Sequence, residues 1–199
     1  MLFAGPIGSD GSLMEHLDLD TLVLKSGSHT PDSEFCVMEA VAYMAHEPWS
    51  DHPECASKVI TSFCQAWNDG MNDEDRQMLK PFIPRIVGTK ASAAIENKRS
   101  WMALDWYCRV STPVWLRAAG LVKEAEAIEA TKPITSAASA KKAQAALDAA
   151  RKAGDAAWDA AWDAAGDATW DALRPTVVEL QKSALNLLDR MIALSAGGN

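Results

Sequence analysis

Three of the four histidines and two of the four cysteines fall between His29 and Cys55. Zinc favours thiolate and imidazole in tetrahedral sets, so His29, Cys36, His52 and Cys55 form a candidate metal set, with His52 and Cys55 as its local unit. The spacing matches no standard zinc finger. Two other readings therefore stay open: thiols buried as small apolar residues with histidines as caps, and a Cys36–Cys55 disulfide. The same residues offer catalysis. Cys36 with His29 or His46 has the make-up of a nucleophile and its base, and a helix N-terminus would lower the thiol pKa. Glu39, one turn on, is spaced to orient that base or to act as one. With zinc holding an open position, the set would suit hydrolysis. No Walker A loop, dinucleotide fingerprint, HExxH or GxSxG motif accompanies it.

The elements that must position these residues read as helices. Leu17, Leu19, Leu22 and Leu24 alternate with polar neighbours, as in a short edge strand or extended arm without an obvious partner. Residues 26–33 are a loop by composition and lead into a helix from Glu34 to about Glu47, limited by Pro48. Val37, Ala40, Val41 and Met44 give it a core stripe, while Cys36, Glu39, Tyr43 and His46 share another side. A second helix is predicted from Ser50 or Asp51 to about Asn68, with Val59, Ile60, Phe63 and Trp67 inward. A third starts at Asn72 or Asp73 and is cut at Pro81 and Pro84. A longer helix runs from about Ala91 to Val110 and is interrupted by Pro113. Gly120 is a good helix terminator, and Leu121 to Ala130 is a further amphipathic stretch.

From Asp155 the chain repeats DAAW, DAAW, DAAG, DATW, so Asp recurs every four residues through Asp171. Four residues advance a helix by about 40° beyond a full turn, so Trp158, Trp162 and Trp170 trace a slow spiral. Such a helix wraps on its own domain, or docks a protein partner or a second copy through its tryptophans; a cation role for the aspartates is the weakest reading. After Pro175 comes heptad spacing at Val177, Leu180, Ala184, Leu187, Met191 and Leu194. It predicts a bundle helix packed on the preceding Ala-rich one, with a dimer interface as the alternative.

A net charge of −8 works against nucleic-acid binding, and no apolar run approaches the roughly 20 residues of a membrane span. Without a signal peptide, the expected location is the cytoplasm. The expected fold class is all-α: a helical core domain over 17–130, then a long Ala-rich C-terminal helical hairpin over 136–195. Residues 1–16 are expected to be a disordered or vector-derived arm.

The words LDTLVLKSGSHT, CVMEAVAYMAHEPWSDHPEC, SFCQAWNDG and LKPFIPRIVGT, followed by WMALDWYCRV and TPVWLRAAGL, cover well over half the chain. They resemble a family of uncharacterised proteins from actinobacteria and their phages. That resemblance implies a bacterial or phage-encoded protein and brings no activity with it. Its members carry Ala-Gly where this chain has Ala45-His46. The leading expectation is a non-catalytic binding or regulatory protein acting through a helical surface, by protein partnership or by self-association through the C-terminal helices. The alternatives are a thiol enzyme or hydrolase centred on Cys36, Glu39, His29 and His52, with or without zinc, and a phage assembly component.

Overall fold

In the computed structural model the described residues are 17–31, 34–162 and 168–196, with side chains described for all of these except 155–162, 168–172 and 195–196. The expected arm at residues 1–16 lies outside them. Among the described residues regular structure is helical, apart from one parallel bridge between Leu24 and Phe35, so the all-α expectation holds. No helix among them is long and apolar enough to cross a membrane.

The chain divides into two compact units at Glu96 and Asn97, inside a helix rather than in the loop near residue 131. The first unit contains α1 (Val37–Met44), α2 (Lys58–Gly70), α3 (Asp73–Arg76), a 3₁₀ turn (Gln77–Phe82), α4 (Ile83–Ile86) and the start of α5 (Ala93–Trp106). α1 packs against α2 and α4. Met38, Val41, Ile60, Leu79, Ile83 and Ile86 are buried in this unit, and burying each such side chain contributes roughly 1.5–3 kcal/mol.

α1 starts at Val37 rather than Glu34 because Cys36 takes an extended backbone and caps it. It ends in a Schellman motif: the Glu47 N–H donates to the Ala42 carbonyl and the His46 N–H to the Tyr43 carbonyl. His46 therefore has φ 55°, a conformation that favours glycine.

α2 begins later than Ser50 or Asp51. The Ser57 hydroxyl accepts the Ile60 N–H at 3.3 Å and serves as its cap. The fully buried row on α2 is Ile60, Cys64 and Asn68, displacing Phe63 and Trp67 to half-buried positions. Asn72 caps α3 as the sequence predicted.

The second unit contains the rest of α5, a wide π turn (Tyr107–Ser111), α6 (Thr112–Ala118), α7 (Val122–Glu129), α8 (Ala137–Trp162) and most of α9 (Ala168–Ala196). Pro113 does not break the helix. It has no N–H for the carbonyl four residues back and its ring would crowd that carbonyl; the π turn just ahead of it absorbs the mismatch. Gly120, at φ 77°, ends α6 as expected. α6, α7 and α8 share a core of Leu116, Ala125, Ile128 and Ala150, which is why residues 97–130 belong with the C-terminal helices. α9 starts at Ala168 and runs through Pro175. Its heptad row is buried at Leu180, Ala184, Leu187 and Met191. Among the hydrogen bonds that tie it to α5 are Arg99 Nε to the Met191 carbonyl at 3.0 Å and Trp106 Nε1 to Ser183 Oγ at 2.8 Å.

Candidate functional site

Three of the residues singled out for chemistry, His29, Cys36 and Glu39, gather at the N-terminus of α1, within the first unit. Cys36 occupies the N-cap, and its sulfur accepts the Glu39 N–H at 3.4 Å. Glu39 returns the bond: its Oε2 accepts the Cys36 N–H at 2.7 Å, closing a capping box in which a thiol replaces the usual hydroxyl. The same carboxylate reaches into the preceding loop. Oε1 accepts the His29 N–H at 2.5 Å and Oε2 lies 2.8 Å from His29 Nδ1. The His29 carbonyl in turn accepts Trp49 Nε1–H at 2.9 Å, and the Trp49 ring packs on Phe35 with centroids 4.9 Å apart.

Glu39 is fully buried. Burial alone would raise its pKa, but the N–H bonds from Cys36 and His29 outweigh that, and the carboxyl sits below its ordinary value. It is thus a buried carboxylate whose hydrogen bonds fasten a loop to a helix start. Burial pushes the Cys36 thiol up to about 12, against the pull of the N–H groups at the cap. A helix N-terminus lowers a thiol pKa only where the sulfur keeps some solvation.

His52 stands apart from this clasp. Its side chain is 69% exposed and its Nδ1 lies 2.6 Å from Asp51 Oδ1. Asp51 is held by its carbonyl, which accepts Gln65 Nε2–H at 2.9 Å. An open cleft of about 290 Å³ brings Cys36 and His52 to one lining, with Asp51, Gln65, Asn68 and Asp69. Cys55 is half-buried and its thiol is raised by burial.

No protein-family model, curated protein or solved structure matches this chain.

The geometry therefore sorts the sequence candidates. His29, Cys36 and Glu39 meet, while Cys36 and His52 share only a cleft. Among the described residues no three His, Cys, Asp or Glu side chains are grouped to hold a metal ion, so His29, Cys36, His52 and Cys55 do not assemble as the set expected from their order. All four cysteines are free, which removes the Cys36–Cys55 disulfide. Trp158, Trp162 and Trp170 lie on α8 and α9, but their side chains fall outside the described residues.

Two residues that organise the site were not singled out from sequence. Asn68, buried on α2, accepts the Val37 N–H at 3.1 Å and donates to the Lys25 carbonyl at 2.8 Å. Arg76, buried on α3, donates to the Asn68 and Met71 carbonyls, each at 2.6 Å. The sequence signal for Asn68 is a polar residue in line with apolar Ile60 and Cys64, whereas Arg76 stands among Asp73, Glu74, Asp75 and Gln77 and carries no such signal.

Proposed function

We propose that this protein is a non-catalytic binding or regulatory protein of a bacterium or phage, acting through a helical surface on a helix of a protein partner. The observation that carries this reading is a row of exposed apolar side chains in the second unit: Leu104 at 38%, Tyr107 at 62% and Trp115 at 39% exposure. Eight residues of α-helix would set Tyr107 and Trp115 about 80° apart. The π turn inserts one residue, so those eight count as seven and the two rings return to within roughly 20° of one line. Leu104, three residues before Tyr107, extends the row. An aromatic row of this kind offers a large contact area at low entropic cost. The clasp at α1 supports the same reading, since the hydrogen bonds of Glu39 are spent on backbone and loop. In this reading α8 and α9 form the C-terminal hairpin, and the tryptophans of the tetrapeptide run offer it a second contact.

The test compares the full chain with a Tyr107→Ser, Trp115→Ser double variant. Proteins co-purifying from the native cells are quantified, and the oligomeric state is read by light scattering. A partner held by the wild type and lost at least tenfold by the variant is expected. Identical co-purification profiles would overturn the proposal, and a dimer abolished by the variant would replace the partner with a second copy.

A thiol or zinc enzyme has one observation in its favour, the cleft shared by Cys36 and His52. The raised Cys36 thiol counts against the nucleophile. Rapid, pH-independent alkylation of Cys36 near pH 7 would revive it.

A further inference from the structure

The leucine arm before α1 is held in an unusual way. Its main chain pairs with side chains of the first unit rather than with a strand. The Leu22 carbonyl accepts Lys80 Nζ–H at 3.0 Å. Gln77 grips Leu24 at both ends, Oε1 accepting its N–H at 2.9 Å and Nε2 donating to its carbonyl at 3.0 Å. Asn68 donates to the Lys25 carbonyl at 2.8 Å, and Asp69 Oδ1 accepts the Gly27 N–H at 2.7 Å. Beyond these, the Lys25 N–H donates to the Phe35 carbonyl, a main-chain bond. The side chains alternate as on a strand: Leu22 and Leu24 are buried and Val23 is 57% exposed.

We propose that the end of α2 and the 3₁₀ turn after α3 form a groove that reads the main chain of an extended peptide. Residues 22–27 fill it in cis as a pseudo-ligand. When this arm lifts, the groove takes an extended segment of a partner protein. The partner chemistry follows from the present occupant. Two apolar side chains two residues apart fill the positions of Leu22 and Leu24, and a glycine stands three residues further on. Gly27 needs its φ of 87° as it turns its N–H to Asp69. Because the five polar contacts read main-chain atoms, any chain with that pattern can satisfy them. This is the logic of strand addition, with side-chain amides in place of a sheet edge. The groove lies wholly in the first unit, so the proposal stands independently of the aromatic row on α5 and α6.

A tethered arm competes at an effective concentration on the order of millimolar, so loosening it should unmask binding in trans. The probe is a fluorescein-labelled peptide carrying residues 18–27, titrated by polarisation against the full chain and against Leu22→Ser and Leu24→Ser variants, each checked for helicity by circular dichroism. The expected result is binding at least tenfold tighter to the loosened chains than to the wild type. Adding Gln77→Ala should abolish that gain, as should Asp in place of Leu24 in the peptide.

Equal affinity for wild-type and loosened chains, or affinity unchanged by Gln77→Ala, would overturn the groove. A dimer of the loosened chains formed without peptide would overturn the assignment to a partner, because the arm would then be exchanged between copies. If both loosened chains unfold, hydrogen exchange on the wild type decides. The Leu24 and Lys25 amides should open at least tenfold more often than the amides of α1. Opening only together with α1 would make the arm part of the fold and end the proposal.

Discussion

Replacing Glu39 with glutamine tests whether the clasp at α1 is held by a carboxylate. The wild-type side chain accepts the Cys36 N–H at 2.7 Å, the His29 N–H at 2.5 Å and lies 2.8 Å from His29 Nδ1. Glutamine keeps one acceptor oxygen. If that oxygen stays on the His29 N–H, its amide group meets the Cys36 N–H donor to donor and faces the His29 ring without a charge. Hydrogen bonds to a charged group contribute about 1.5–3 kcal/mol each. Removing two would cost roughly 3–6 kcal/mol, offset in part because the buried charge is removed as well. We therefore expect a loss near the lower end, about 3 kcal/mol, in urea unfolding at pH 7 with an unchanged denaturant slope.

The pH dependence supplies a second reading of the same change. Because the folded-state pKa of Glu39 lies below its ordinary 4.5, its contribution is complete above that value and is lost as pH falls through the lowered one. The gap between wild type and Glu39→Gln should be constant from pH 7 to 5 and narrow on further acidification. A loss below about 1 kcal/mol, or a gap that does not narrow in acid, would refute the carboxylate clasp.

Three further outcomes follow. His46→Gly should stabilise the chain by about 0.5–1 kcal/mol in thermal unfolding: a left-handed conformation costs a side chain about 1–2 kcal/mol, less the extra freedom glycine brings to the unfolded state. Arg76→Ala should cost about 3 kcal/mol in urea unfolding, because it strips the Asn68 and Met71 carbonyls of their buried donor. Under native conditions at pH 8, iodoacetamide mapped by mass spectrometry should modify half-buried Cys55 first and leave Cys36 and Cys64, both raised to about 12, unmodified until the chain unfolds.

Much of the local structure was legible in the sequence. Asn72 caps α3, Gly120 ends α6, and the heptad of α9 buries Leu180, Ala184, Leu187 and Met191. Each of these depends on residues within a turn or two of one another, and helical periodicity encodes such relations directly. The i, i+3 spacing of Cys36 and Glu39 belongs to this class, because a capping box is local. The helix boundaries at Pro113 and Pro175 were misread for a related reason. A proline forbids one hydrogen bond, and surrounding packing decides whether a wide turn or a helix end absorbs the loss.

The use of the local pieces was settled by contacts between distant residues. Gln77 and Leu24 meet across 53 residues of chain, Asn68 and Val37 across 31. No short-range pattern could announce that a glutamine would stand in for a strand, or that His29 would meet Glu39 across a loop. The sequence by itself determined the helical class, the cap at Asn72, the terminator at Gly120 and the residues available for chemistry, since backbone hydrogen bonding and side-chain period act over three or four positions. Only the tertiary structure decided which of those residues meet. Each polar group, once removed from water, had to find its partner among whatever the packed helices brought within about 3 Å.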